Sequence, residues 1–296
     1  MSTFAKIMAL LQDPPPEFAF EIAADGITMS RTRPPSTLQH TPLIPGIIDP
    51  SPVKENVLDP GAFSEALRKL IPAGGGNRRR GAALILPDNA VRIAVVDFDT
   101  LPEKEEERRA LINFRLRKSV PFDIDEAALS YYRQNAKSVV VTLTPAEIVA
   151  HYEAPFRAIN LHPGLITVSS LAMLELLPVK GSLLIARLSP GTLTIIAMKD
   201  GIVTIARSLE LVSLEEVSAA LYPTMAYIED QSGARPEQLF IAGFGSEAIA
   251  AAALLSADLE IPVDVISEEA PGLAGYLASL NTQAPPKLTP KQAVAA

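Results

Sequence analysis

The chain has 296 residues, a formal net charge of -8 and 48% hydrophobic residues. That length suits two domains or one large core with an insertion, the apolar content can bury sizeable cores, and an acidic chain lacks the basic face that phosphate-backbone binding needs, which argues against nucleic acid as a partner. The absence of cysteine excludes disulfides, thiolate catalysis and cysteine-held metal.

In chain order, "FAKIMALLQD" places Phe4, Ile7, Met8 and Leu11 on one helical face with only Lys6 basic. That pattern reads as a helix docked on its own domain rather than on a membrane surface. Met1 to Leu11 carries no signal-peptide pattern, so a cytoplasmic setting is expected. "EFAFEIAADGITMSRTR" alternates around Asp25-Gly26 and predicts a β-hairpin, and the prolines from Pro34 to Pro60 predict a long irregular crossing. A helix capped near Asp59 follows, then a loop over Gly74 to Arg80 and the strand "GAALILPD". Next come a strand from the run "NAVRIAVVDFD", a charged helix over Glu103 to Ser119, a strand around Ala127 to Arg133 and another in "SVVVTLTP". "AEIVAHYEAPFRAINL" reads as a helix and "ITVSSLAMLELL" as a strand running into a helix.

The second half starts again at "GSLLIARLSPGTLTIIAMKDGIVTIARSLE", a three-strand meander with turns at Pro190-Gly191 and Asp200-Gly201. A helix over Leu214 to Gly233, the strand "QLFIAGFG", a helix from Ser246 to Leu255 and the strand "PVDVI" complete it. The longest apolar run, Ala248 to Ala257, falls short of the roughly 20 residues that cross a bilayer. The tail "NTQAPPKLTPKQAVAA" is Pro-rich and polar, the composition of a disordered segment.

Each half therefore opens with a meander and continues with alternating helix and strand, as in the duplicated actin and sugar-kinase architecture. The runs "LPDNAVRIAVVDFDTLP", "VPFDIDEAALSYY", "VVVTLTPAEIVAHYEAPFRAINLHPGLITVSSLAMLEL" and "LFIAGFGSEAI" together resemble the PilM family of type IV pilus assembly proteins. The cytoplasmic domain of GspL-type secretion proteins is a more distant likeness. The resemblance covers most of Phe18 to Ile266 and is strongest over Leu84 to Leu177. It implies an α/β, actin-like (ribonuclease H-like) duplicated fold with one domain over 1–180, a second over 181–281 and a tail over 282–296. A small subdomain inserted at about 83–140, as in the actin relative FtsA, would provide an interaction surface.

Actin-like ATPases hold Mg-ATP with two Asp-x-Gly hairpins, the glycine admitting phosphate to backbone N–H groups and the aspartate anchoring the metal's water shell. Against that pattern Glu21 stands for the first aspartate, Ala23 for its glycine and Thr28 near an expected lysine. In the second hairpin the acidic position falls at or near Arg187. Gly243 and Gly245 of "GFGS", with Gly26, are what the resemblance leaves of a nucleotide cleft. A close strand-to-helix turn explains Gly243 and Gly245 equally well, and Glu21 and Asp25 read as residues flanking a turn rather than an acid-base pair. His40, His151 and His162 lack metal-ligand spacing, and Arg78, Arg79 and Arg80 read as a solvated loop.

No catalytic residue, metal or cofactor is expected, with ATP and magnesium kept for the alternative of an active ATPase or small-molecule kinase of the same superfold. The expected role is a scaffold at the inner face of the inner membrane, tied to pilus or secretion motor components. Its implied ligand is the N-terminal peptide of a PilN-like membrane protein, with Phe122, Val120 and Arg115 in the groove. A paralogue serving another envelope complex is the third reading.

Overall fold

The computed structural model describes residues 15–71, 80–210, 213 and 215–282. The expected N-terminal helix, Arg78, Arg79 and the polar tail beyond 282 lie outside them. Thirteen strands form three sheets. The first holds β1 (Phe18–Ala23), β2 (Gly26–Arg31), β3 (Gln39–Pro42), β4 (Arg80–Leu86) and β8 (Leu161–Val168), in the order β3-β2-β1-β4-β8. The second holds β9 (Ser182–Ser189), β10 (Thr192–Lys199), β11 (Ile202–Glu210), β12 (Gln238–Ala242) and β13 (Val263–Ile266), in the order β11-β10-β9-β12-β13. Both orders are an antiparallel meander whose first strand pairs in parallel with the next strand of its half. The two halves therefore repeat one topology.

Two-residue periodicity decides which side chains meet. In β1, Phe18, Phe20 and Ile22 point to one core while Ala19 points to another, so Glu21 shares Ala19's face. On the first side lie α1 (Pro60–Leu70) and α3 (Ala146–Arg157). Helix α1 begins as expected, the Asp59 side chain accepting the Ala62 N–H at 2.9 Å, and it buries Phe63, Ala66, Leu67 and Leu70. Phe156 of α3 meets Phe20 edge-on with centroids 5.0 Å apart. In the second sheet Leu184 and Ala186 of β9 face α5 (Glu216–Ser232) and α6 (Ala248–Leu259). Leu183 and Ile185 face the first half, so Arg187 points that way too.

The third sheet has order β5-β7-β6, from β5 (Arg92–Asp97), β6 (Ala127–Arg133) and β7 (Ser138–Pro145). Helix α2 (Glu105–Leu116) covers one face through Ile112 and Leu116, which meet Val139, Val141 and Leu143. The other face packs toward the second sheet through Ile93, Val95 and Val140. The side-chain amide of Gln134 also donates to the Val203 carbonyl at 2.8 Å and accepts the Val203 N–H at 2.7 Å.

Several expectations shift. β4 is a fully paired central strand between β1 and β8, so the small sheet runs from Arg92 to Pro145 rather than over 83–140. The first hairpin turns at Ala24 and Asp25, with Gly26 already paired to Ala23 as the first residue of β2. The Pro34–Pro60 crossing contains β3, an edge strand whose side chains are largely solvated. The turn at Asp200-Gly201 stands as expected, with φ of 50° and 79°, the left-handed pair a two-residue hairpin takes. Finally, α7 (Pro271–Thr282) belongs by sequence to the second half but packs on the first. Leu273 and Tyr276 join Ala19, Ala83 and Ile85, and α7 lies against α4 (Ser169–Met173).

Candidate functional site in the cleft between the halves

Charged residues inside apolar strands need partners, because an unpaired buried ion is far costlier than a paired one. Glu21 interrupts "FAFEIA" and Arg187 interrupts "LLIARLS", and both are buried. They meet across the cleft: Arg187 Nη2 lies 3.2 Å from Glu21 Oε1, and Arg187 Nη1 lies 3.0 Å from Asp88 Oδ2. Asp88 sits in the turn that leaves β4 and is fully buried. Arg187 Nη1 also reaches Ser189 Oγ at 2.5 Å.

The remaining carboxylate oxygens are held by backbone and hydroxyl donors. Ser170 N–H donates to Asp88 Oδ1 at 2.9 Å, and Leu273 N–H in the first turn of α7 donates to Glu21 Oε2 at 2.8 Å. The Ser169 hydroxyl donates to Glu21 Oε1. Both carboxylates thus receive an arginine hydrogen and a helix-start N–H. Burial works against the Arg187 cation, but Asp88 and then Glu21 outweigh it and raise its pKa further above the usual arginine range. Arg187 Nε is buried without a partner.

Two carboxylates that share one internal cation, and whose other oxygens are taken by N–H and O–H donors, offer neither a free base nor a free metal ligand. Among the described residues no group of three or more His, Asp or Glu is placed to hold a metal ion. The residues present therefore do not fit the Mg-ATP that this architecture holds in active members: the position expected to be acidic in the second hairpin carries the cation that fills the cleft.

The other candidates sit apart. Gly243, at the turn from β12 toward α6, has φ of 81°, and a Cβ there would overlap the Leu188 carbonyl. Gly245 has φ of 53° with open space beside it. This geometry is that of a close strand-to-helix turn. Gly26 lies under the His40 ring, which is bonded at 3.0 Å to Thr28 Oγ1, and it does not border Arg187. Val120 and Phe122 are partly buried against the small-sheet core. Arg115 Nη2 donates to the Asp97 carbonyl at 3.4 Å, and its guanidinium lies 5.9 Å from the Phe98 ring. Of the three, Val120 lines a hollow of about 230 Å³ between β5, the end of α2 and β11, while Phe122 and Arg115 lie outside that lining. The three histidines stay separate, with His151 3.7 Å from Glu147.

Asp88, Ser169 and Leu273 were not singled out by the sequence. The usable signal was the pair of ions embedded in apolar strands, which demands buried counter-charges without saying where they lie.

No family model and no curated protein sequence matches the chain. Solved structures do. The PilM-PilN type IV pilus biogenesis complex superposes with a TM-score of 0.73 at 18% identity, over 92% of this chain and 100% of that one. A protein from Bacteroides thetaiotaomicron with actin-like ATPase fold and unknown function gives 0.54 at 12% identity, over 94% and 98%. The cytoplasmic domain of EpsL, an inner-membrane component of the type II secretion system of Vibrio cholerae, gives 0.50 at 9% identity, over 76% and 80%. With the repeated sheet order, these likenesses show that the chain has the actin-like ATPase fold.

Proposed function

We propose that this chain is a non-hydrolysing scaffold of a type IV pilus or type II secretion inner-membrane platform, and that it binds the N-terminal peptide of a PilN-like membrane protein. The observation that carries the reading is Arg187 lodged between Glu21 and Asp88. A triphosphate entering there would have to break two buried ion pairs and leave two carboxylates facing its own charge, a cost of several kcal/mol before any gain. The protein has replaced a ligand-dependent bridge between its halves with a covalently supplied one.

The structural likeness to the PilM-PilN complex and to EpsL supports the assembly role. Among the described residues no helix is long and apolar enough to cross a membrane, so in this reading the partner anchors the chain at the inner face of the inner membrane. In this reading the peptide groove lies at the α2 end of the small sheet, where Val120 in the loop after α2 borders the hollow, with Phe122 two residues on in that loop and Arg115 in the last turn of α2.

Fluorescence anisotropy with the labelled N-terminal peptide of the cognate PilN-like protein tests it. Saturable binding without nucleotide is expected at a dissociation constant on the order of micromolar. Phe122→Ala should weaken it about tenfold or more, as for an anchoring aromatic. No binding at high micromolar peptide rejects the partner, and binding indifferent to Phe122→Ala rejects the groove.

A further inference from the structure

The small sheet has a second feature, at the end away from Val120. Among the described residues β6 is an edge strand, paired only to β7. Gln134 N–H donates to the Ser138 carbonyl at 3.0 Å, so the antiparallel alternation turns Ser130, Tyr132 and Gln134 toward β7 and Leu129, Tyr131 and Arg133 outward. The Leu129 carbonyl confirms the phase by accepting from Arg109 Nη2, off α2, at 3.0 Å. An outward row of unpaired strand groups is a template for another extended chain.

Charge defines which chain. A hollow of about 410 Å³ runs along this edge, with Arg108, Arg109 and Arg133 on its rim against the single carboxylate of Glu105. Two bases at the ends of α2 are ion-paired, Lys104 with Glu107 at 3.1 Å and Arg117 with Asp125 at 2.8 Å. The three rim arginines form no ion pair among the described residues. They rest instead on neutral oxygens, Arg108 on Tyr131 Oη at 2.7 Å and the Pro102 carbonyl at 2.9 Å, and Arg133 on the Asn135 carbonyl at 3.0 Å. A carboxylate is a better acceptor for guanidinium than a carbonyl or phenol. Tyr132, on the opposite face of the strand, is 72% exposed beside the same edge.

We propose that the outer edge of β6 takes up an extended acidic segment of a partner protein by strand addition. Main-chain hydrogen bonds run to Leu129 and Tyr131, the rim arginines engage the segment's carboxylates, and Tyr132 packs on an apolar side chain between them. The segment displaces Arg109 from the Leu129 carbonyl and gives that guanidinium a charged partner in exchange. A chain of net charge -8 that leaves three arginines uncompensated along one open edge selects acidic over basic strands there.

The test uses the full chain and two acetylated octapeptides, one alternating glutamate and valine, the other lysine and valine. Amide hydrogen exchange at Leu129 and Tyr131 should slow about tenfold or more when the acidic peptide is present at about 1 mM, and not with the basic one. Arg109→Ala combined with Arg133→Ala should raise the dissociation constant about tenfold and flatten its salt dependence. Tyr131→Pro removes an outward donor while leaving the β7 ladder intact, and should abolish the protection of Leu129 with the melting transition retained. Unchanged exchange with the acidic peptide, or equal protection by the basic one, overturns the proposal. Phe122→Ala lies outside this hollow and should leave the octapeptide response unchanged, so this result and that for the PilN-like peptide are read separately.

Discussion

Arg187 Nη1 lies 3.0 Å from Asp88 Oδ2, joining a strand of the second sheet to the turn that ends a strand of the first. Removing the guanidinium leaves Asp88 and Glu21 both buried and both short of their counter-charge. Arg187→Ala should therefore destabilise the fold by about 3–5 kcal/mol. The triple change Arg187→Met, Asp88→Asn and Glu21→Gln should recover most of the loss, because it removes the charges together. Urea unfolding of the single and triple variants decides: a single variant within about 0.5 kcal/mol of the parent shows the triad is not holding the halves together.

Mg-ATP should not raise the melting temperature. A ligand at a hundred times its dissociation constant stabilises the folded state by about 2.7 kcal/mol, readily seen in a thermal scan. A shift with millimolar Mg-ATP, or phosphate release above the no-protein rate, contradicts the non-hydrolysing reading.

The two glycines of α7 set how closely that helix approaches the first half. A Cβ at Gly275 would overlap the Ala172 carbonyl oxygen, and one at Gly272 would crowd Ser169 Oγ beside Glu21. Gly275→Ala should cost about 1–3 kcal/mol by forced overpacking, despite alanine's better helix propensity. Gly164→Ala, with nothing within 4 Å of the added atom, serves as the control and should stay near neutral. Equal stability of both variants by denaturant melts would show that the α7 contact yields freely.

Stability should fall on the alkaline side through Tyr152. Burial, reinforced by Asp49, pushes its phenol well above the ordinary tyrosine range. A pKa raised in the folded state gives stability that is complete below the unfolded value of about 10 and is lost as pH climbs past it. Tyr152→Phe should flatten the decline above about pH 10, while costing about 1 kcal/mol at neutral pH through the lost 3.1 Å bond to Asn56. The gap between the two stability profiles should stay constant up to about pH 10 and close above it; an offset that persists at higher pH would refute it.

The repeated meanders, the Asp59 cap and the Asp200-Gly201 turn could be read from residues because local chemistry fixes them. β3 could not: "QHTP" has no β-branched alternation and gains its pairing from β2 alone. Helix α7 escaped notice because "PGLAGYLASL" is apolar and small nearly all round, the composition of a helix pressed between neighbours rather than one with a solvent face. In the cleft, the loss of a phosphate-loop acid at Arg187 was visible, but its partners were not. Glu21 and Asp88 lie 166 and 99 residues away in sequence, and only the folded sheets bring them together. Reading Glu21 as a turn-flanking residue followed from the same blindness, since the nearest sequence neighbours offer it no cation.

Gln134 grips both polar groups of Val203, as a neighbouring strand's peptide unit would. The amide side chain thereby caps the outer polar groups of Val203 on β11, the last strand of its sheet, which lies along β5 of the small sheet. Without it the Val203 N–H and carbonyl lose their partners where the small sheet meets the second half, so Gln134→Ala should cost about 1–3 kcal/mol in a urea melt, and an unchanged melt would show that the grip is idle. One side chain thus ties the small sheet to the border strand of the second, a rivet between two sheets that share no backbone ladder among the described residues.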